Sequence, residues 1–306
     1  MVALESLLSL SSFADGETFA SRNAMEHTKR LILLAALLAG TASHASAQDV
    51  GEPAVAPVSA GVPIQRTQRE LVLPEGYVRA DLGLTFGDAN GNARNGEFFA
   101  HDLGGGISLI ENLEFGISLN REWFWPRYGG GVLPLFWDGN HVHFLALPIY
   151  ARYQFLTTEH VAIAGDVEMY LRTHSHGPTR HAFRASLPIR FRFNSFMIDT
   201  GVTFEVETND AQANIYLPAV FTFNPTEALH FRVSTGFSAL DMDKDFLAMP
   251  LFFGGGYSLT ISDILADINL DFGFPYLVHS DFGGGDHSSP DIWMVKLSVA
   301  AYIDVL

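Results

Sequence analysis

Apolar and polar residues alternate one by one along most of this chain, from about Tyr77 to Val305. The stretch 183–194 shows the pattern clearly. Its odd positions are all apolar, and its even positions read Arg, Ser, Pro, Arg, Arg and Asn. Successive side chains of a β-strand point to opposite faces, so a period of two predicts strands with one apolar and one polar face. The pattern therefore predicts an all-β fold.

Twelve alternating segments follow one another along the chain, and the connections between them are alternately short and long. The predicted strands lie near residues 77–86, 100–110, 113–120, 143–155, 160–171, 183–193, 196–207, 214–223, 229–239, 247–260, 264–274 and 292–305. An even number of strands, with short turns at one end and long loops at the other, is typical of a barrel in lipid. The sequence thus predicts a transmembrane antiparallel up-and-down β-barrel of about twelve strands over residues 76–306.

The positions of the aromatic residues also favour a barrel with its short turns at one membrane interface and its long loops at the other. All four tryptophans fall at or beyond the ends of strands that lead into long loops, and several Phe and Tyr residues fall beside the short turns. Two such bands are expected where a barrel meets the two membrane interfaces. The alternative is a soluble β-sandwich, whose strands also alternate but whose apolar faces are buried against each other.

Four prolines break the pattern inside predicted strands, at Pro148, Pro188, Pro218 and Pro250. Proline has no N–H to donate, and a closed barrel has no free edge on which that loss is harmless. We therefore expect each proline to cost a hydrogen bond of the strand ladder or to force a bulge. Their spacing of 30 to 40 residues indicates a hairpin unit used repeatedly.

The first 75 residues have no such alternation. Lys29 and Arg30 precede an apolar stretch at 31–40, and an Ala-Ser-Ala sequence ends at Ala47. This order is typical of a secretory signal peptide, predicted at 25–47, so residues 1–24 are interpreted as a start-site artefact. Residues 48–75 are rich in Pro, Ala and Val and predict an extended, mobile periplasmic arm.

Together, these features resemble bacterial outer-membrane β-barrel proteins of Gram-negative envelopes, in a porin-like general architecture. The resemblance implies location in the outer membrane, contact with its lipid, and insertion by an assembly machinery that reads the last strand. In that family the last strand commonly ends in Phe. Here Tyr302 lies in the last strand and Leu306 stands at the end.

Charge and composition exclude several functions. A net charge of −16 disfavours nucleic acid as a partner. The chain has no cysteine, which removes disulfides, thiol nucleophiles and thiolate metal sites. Neither a cofactor nor a metal site is predicted.

The polar faces of the predicted strands carry the candidate functional residues. Strand 183–193 is basic, its two neighbours are acidic, and facing charges of opposite sign stabilise a sheet. Such charges either form a field across an open pore or pair with each other in a closed lumen. The predicted lumen-lining residues are Arg152, Asp166, Glu168, Arg184, Arg190, Arg192, Asp199, Glu205, Arg232, Asp267 and Asp271.

The sequence leaves three functions open. The first is a passive pore or uptake channel for small polar solutes. The second is a closed structural or adhesive surface barrel that binds through the aromatic loop 121–142, which contains Trp123, Trp125, Tyr128 and Trp137. The third and least favoured is a hydrolase at the barrel rim, for which Ser175 between two histidines has suitable residue types but no recognised motif. No catalytic residue is assigned.

Overall fold

The computed structural model describes residues 61–91, 94–117, 135–138, 141–144, 147–171, 181–207, 213–240, 246–280, 286–288 and 292–306. Strands make up most of this part of the chain, and a single 3-10 turn lies at Arg66–Gln68. None of the described residues belong to a helix that is long and apolar enough to cross a membrane.

Fifteen strands are present in the described ranges, numbered here in chain order. They are β1 Tyr77–Gly91, β2 Arg94–Ile110, β3 Leu113–Gly116, β4 Leu135–Asp138, β5 His141–Phe144, β6 Leu147–Thr157, β7 Val161–Leu171, β8 Ala182–Phe193, β9 Phe196–Glu207, β10 Ala213–Phe223, β11 Leu229–Leu240, β12 Phe246–Ile261, β13 Ile264–Ser280, β14 Asp286–Ser288 and β15 Ile292–Asp304.

The sheet closes on itself because β1 pairs antiparallel with both β2 and β15. Neighbours around the sheet follow the order of the chain, which is an up-and-down arrangement. The short strands β4 and β5 form a hairpin that extends the sheet beside β2, with Trp137 opposite Phe99. The short β14 pairs with the end of β13. The other twelve strands form the closed barrel, which confirms the predicted all-β fold class.

Several predicted boundaries at the long-loop end differ from the structure. β1 extends to Gly91, β2 begins at Arg94 and β13 extends to Ser280, and the loop expected at 121–142 contains β4 and the start of β5. The hairpin places its backbone against the upper part of β2, where pairing satisfies backbone groups that a loop would leave exposed in lipid.

The short connections form one end of the barrel. Three of them have a residue in the left-handed region, with φ of 63° at Asn112, 48° at Asn194 and 55° at Ser262. Tight two-residue hairpin turns require positive φ, which Asn tolerates better than most residues. Short turns face the periplasm in barrels of this type, so the strand ends at 110, 157, 193, 223, 261 and 304 lie at the periplasmic end.

The outer surface of the barrel is apolar. Large side chains of alternate positions remain about half exposed, for example Phe253 at 50% and Leu270 at 57%. A soluble sandwich buries these faces, whereas the structure turns them outward and turns the polar faces inward. Near the periplasmic end the exposed apolar band includes the aromatics Tyr153, Phe193 and Phe223. This arrangement fits a lipid environment and excludes the sandwich.

Three of the four prolines interrupt the ladder as expected. Pairing between β7 and β8 skips the region of Pro188, and the equivalent gaps lie at Pro218 and Pro250 in the next two hairpins. On the other side, Pro188 and Pro218 face Gly201 and Gly236, where φ is near 150° and a Cβ would meet the backbone of the preceding strand.

At two of these gaps a threonine hydroxyl donates a hydrogen bond to the proline carbonyl. Thr200 Oγ1 donates a hydrogen bond of 2.9 Å to the carbonyl of Pro218, and Thr235 Oγ1 donates one of 2.8 Å to the carbonyl of Pro250. The same device therefore recurs in successive hairpins, in agreement with a repeated unit.

The lipid-facing exterior predicts a depth-dependent penalty for charge. Leu270→Arg, on the outer face of β13 well away from the turns, should lower the free energy of unfolding in phospholipid vesicles by about 2–4 kcal/mol. Ile261→Arg, equally exposed but at the periplasmic turn, should cost about 0–1 kcal/mol. Denaturant titration of both variants checks this, and equal small effects would contradict a membrane location.

Candidate functional site: the lumen and residues 61–75

The structure places all eleven predicted lumen-lining residues on the inner side of the barrel. Most of them are buried, from 0% exposure at Asp267 to 7% at Arg190, Arg192 and Asp271. Their positions follow from the alternation, since most of them lie between outward-facing apolar neighbours. Their functional role stays a prediction.

Most of these charges pair across neighbouring strands. Arg152 on β6 contacts Asp166 on β7 with distances of 2.7 and 3.1 Å, and Arg190 on β8 contacts Asp199 on β9 with distances of 2.6 and 2.9 Å. Each pair is bidentate, which is the strongest geometry available to Arg and a carboxylate. Both pairs lie in directly opposed register positions.

A larger polar cluster lies further from the periplasmic turns. Arg184 pairs with Glu205 and also approaches Glu168, with a separation of 3.6 Å. Glu205 in turn accepts hydrogen bonds from Asn214 and Tyr216, at 2.6 and 3.1 Å. All five residues belong to the adjacent strands β7 to β10, so the cluster covers one arc of the wall.

Glycines on β12 make room for another set of inward side chains. Arg232 on β11 reaches Asp271 on β13 across Gly254, and His230 reaches Asn269 across Gly256 with a separation of 2.8 Å. A Cβ on Gly254 would overlap the carboxylate of Asp271. The run 254–256 therefore provides space for polar side chains, and no bulge interrupts the pairing there.

Residues 61–75, called the lumen segment below, lie inside the barrel at its periplasmic end. Arg66, Thr67, Leu71 and Leu73 are each at most 5% exposed, and the segment contacts wall residues from β3 to β15. This differs from the free arm that composition predicted. The difference arises because the wall offers charges and hydrogen-bonding groups that an arm in water would not have.

Two arginines of the segment bind one carboxylate of the wall. Arg69 contacts both oxygens of Asp267, and Arg66 lies 3.5 Å from the same group. Arg69 also donates to the hydroxyls of Ser258 and Tyr302, at 3.2 and 3.3 Å. Asp267, completely buried on β13, is therefore neutralised by a segment about 200 positions away in the chain.

On the opposite wall, basic side chains bind the segment's acceptors. Arg192 contacts the carboxylate of Glu70 at 2.5 Å. Arg190 donates to the backbone carbonyls of Arg69 and Glu70 at 2.8 and 2.9 Å, and Arg152 donates to that of Leu71 at 2.7 Å. On this wall the segment is thus held both by its Glu70 carboxylate and by its backbone carbonyls.

The segment complements two wall charges whose paired positions in the strand register are uncharged, Asp267 and Arg192. Asp267 lies opposite Ser258 on one side and Ala300 on the other. Arg192 lies opposite Met197 on β9. By contrast, Asp166, Asp199 and Glu205 each face an arginine. The segment supplies arginines to the first unmatched charge and a glutamate to the second.

Burial does not neutralise the segment's arginines at physiological pH. Desolvation lowers the pKa of the Arg66 guanidinium to about 10, and Arg232 and Arg69 act in the same direction while Asp267 opposes them. A group with that pKa remains protonated at pH 7. The attraction to Asp267 is therefore between two full charges.

Sequence reasoning did not place the lumen segment. Its two arginines lie in a stretch without periodicity, so alternation carries no signal there. The uncharged strand neighbours of Asp267 indicate that it needs a partner elsewhere, but these neighbours are known only from the strand register. Trp123, Trp125, Tyr128 and residues 174–176 lie outside the described residues, and of Trp137 only the backbone is described.

Comparisons with known proteins found similar solved structures but no related sequence. No protein-family model and no curated protein matches the chain. Matching solved structures include an outer membrane channel from Pseudomonas putida F1, with 9% identity over 76% of this chain and 97% of that chain and a TM-score of 0.49. The translocator domain of autotransporter NalP from Neisseria meningitidis has 8% identity, coverage of 74% and 87%, and a TM-score of 0.44.

OmpT, an outer membrane protein of Vibrio cholerae, has 8% identity, coverage of 74% and 96%, and a TM-score of 0.37. At such identities these similarities concern the architecture alone. The closed twelve-strand sheet, its apolar exterior and its charged interior define an outer-membrane β-barrel protein. The signal peptide predicted at 25–47 lies outside the described residues and stays a prediction.

The glycine at position 254 gives a test of the packed lumen. Gly254→Ala should destabilise the barrel by about 1–3 kcal/mol, because the added methyl displaces the carboxylate that pairs with Arg232. Gly165→Ala is the matched control, since a Cβ there would meet only Phe155 at an ordinary 3.9 Å. Equal free energies of unfolding for the two variants would show that the lumen is wide and loosely filled.

Proposed function

We propose that this protein is an outer-membrane channel for small polar solutes whose periplasmic end is closed by its own lumen segment. The observation that carries the proposal is the way the lumen is filled. Its wall carries many buried charged and hydrogen-bonding side chains, and the group that occupies it is a separate stretch of chain held mainly by polar contacts.

The size of the barrel supports this proposal. Twelve strands spaced about 4.8 Å apart and tilted by about 40° give a backbone diameter of about 24 Å. Inward side chains take about 5 Å from each wall, which leaves about 14 Å. An extended segment about 10 Å wide fills most of that width and, once removed, leaves a passage for small solutes.

The nature of the contacts supports a removable segment. Water can replace the hydrogen bonds that the wall makes to segment carbonyls, such as those from Arg190 and Arg152. The apolar contribution is small, with Leu71 packing on Ala162 and Ala164, and Leu73 on Leu265 and Tyr302. The barrel itself keeps its strand ladder whether or not the segment is in place.

A closed structural barrel is the second candidate. The buried cluster around Arg184 favours it, since charges that already satisfy one another need no solute. This cluster lies on four adjacent strands, however, and the segment fills the space that it leaves at the periplasmic end.

Removing the two segment arginines should open the channel. In planar bilayers, Arg66→Ala/Arg69→Ala should conduct at least tenfold more current than the wild-type protein, because the segment loses its charged contacts with Asp267. Gln68→Ala is the control, since the uncharged Gln68 side chain donates to the exposed turn carbonyl of Asn194 at 2.9 Å. Heat-modifiable gel migration verifies that each variant is folded.

Asp267→Asn provides a second route to opening, because it weakens the same contact from the wall. Increased conductance in both the arginine variant and the Asp267 variant would support a gated channel. If both fold and both remain silent, the channel proposal is wrong and the closed structural barrel is the better account.

A further inference from the structure

We infer that the lumen, once the segment has moved, binds arginine-like zwitterions, which carry a guanidinium at one end and a carboxylate at the other. This inference rests on the proposed channel function and names its class of solute. Arg69 of the segment occupies the site in the closed state and shows how such a molecule would be held.

The guanidinium end of the site lies on β12, β13 and β15. Asp267 chelates the Arg69 guanidinium with both oxygens, Ser258 and Tyr302 accept hydrogen bonds from it, and its carbon lies 5.1 Å from the centre of the Tyr302 ring. Ser258 and Tyr302 also contact Asp267 itself, at 2.7 and 3.3 Å, and hold the carboxylate in place without the segment. A planar cation therefore meets a matched carboxylate and an aromatic face.

The carboxylate end of the site lies on β8. Arg190 donates to the carbonyl oxygen of Arg69, and its bidentate pair with Asp199 holds Arg190 in place when the segment leaves. In a free arginine, the carboxylate stands where Arg69 has its carbonyl. It would bring a full negative charge and a second oxygen to Arg190, which strengthens the hydrogen bond.

One residue spans both ends, and this fixes the length of the solute. The guanidinium and the carbonyl of Arg69 belong to the same residue, yet they contact β13 and β8, which are five strands apart around a twelve-strand barrel. A shorter zwitterion would reach one wall only. The site thus selects for a cation and an anion separated by an arginine side chain.

Charge on the vacated wall disfavours simple ions. When the segment leaves, Asp267 loses its two arginines and Arg192 loses the carboxylate of Glu70. A lone cation satisfies only the first group and a lone anion only the second. A molecule that carries both charges places its cation at Asp267 and its anion on β8, the strand that carries both Arg190 and Arg192, so it is favoured over either simple ion.

The test uses the full-length Arg66→Ala/Arg69→Ala protein in planar bilayers, with L-arginine, citrulline and agmatine as probes. Citrulline keeps the carboxylate and replaces the guanidinium by a neutral urea, whereas agmatine keeps the guanidinium and lacks the carboxylate. L-arginine should reduce the ion current at concentrations at least tenfold lower than either analogue, since each lacks one charge-assisted contact. Calorimetry on the same protein in detergent should show the same order of binding.

Two further substitutions in the Arg66→Ala/Arg69→Ala protein test whether Asp267 is the carboxylate that binds the guanidinium. Asp267→Asn should abolish the preference of L-arginine over citrulline, because it removes the carboxylate that chelates the guanidinium. Asp263→Asn removes the same charge from the exposed turn on the same side of the barrel and should leave the preference intact.

The outcomes separate the inference from the proposed function. Conductance without any preference among the three probes would overturn the inference and leave the channel standing. Selective binding of L-arginine by calorimetry in a protein that never conducts would support the site and refute the channel. A preference that survives Asp267→Asn would also overturn the inference, because the guanidinium would then bind elsewhere.

Discussion

A closed sheet in lipid must turn its polar side chains inward, and this constraint determines the rest of the structure. Every second residue of each strand faces hydrocarbon and every other residue faces the lumen, where most of the charged side chains are buried. Charges in such a place are stable only when they are paired, since leaving one buried alone costs about 3–5 kcal/mol. Two kinds of ion pair compensate these charges. Some form between neighbouring strands, and the others form between the wall and residues 61–75.

The cross-strand pairs stabilise the wall itself. Arg152 with Asp166, and Arg190 with Asp199, lie in register on adjacent strands, so they form whenever the sheet forms. Asp267 and Arg192 are different because their register neighbours are uncharged. Their compensation comes from Arg66, Arg69 and Glu70, and it exists only when the segment is inside the barrel. The charges of the wall thus divide into those paired within the wall and those compensated by the segment.

Much of the fold could be predicted from the alternation. A period of two gives the strands, their apolar and polar faces and a count of twelve, and it places residues such as Arg184 and Asp267 inside. Boundaries at the long-loop end could not be predicted as well. The stretch 135–144 pairs as a hairpin because β2 continues beyond β3, and strand lengths of that kind depend on register between distant segments.

The lumen segment could not be predicted from local pattern, for a physical reason. Its position depends on the match between its charges and wall groups that lie up to about 230 positions away, as for Arg69 and Tyr302. Composition predicts an extended arm, whereas the described segment contains a 3-10 turn at Arg66–Gln68 and buries several of its side chains. Composition cannot show that the lumen wall carries charges, Asp267 and Arg192, whose strand neighbours are uncharged.

The presence of the segment inside the barrel can be measured directly, because the chain has no cysteine of its own. Leu71 packs on Ala164 in the lumen. Leu71→Cys/Ala164→Cys should form a cross-link in outer membranes, detected by its shifted migration on a non-reducing gel, and the linked barrel should remain closed until it is reduced. Leu71→Cys/Leu84→Cys, with the second thiol on the outer surface, should not link. Failure of the first pair to link, with both thiols shown to be present, would contradict the account that residues 61–75 close this barrel.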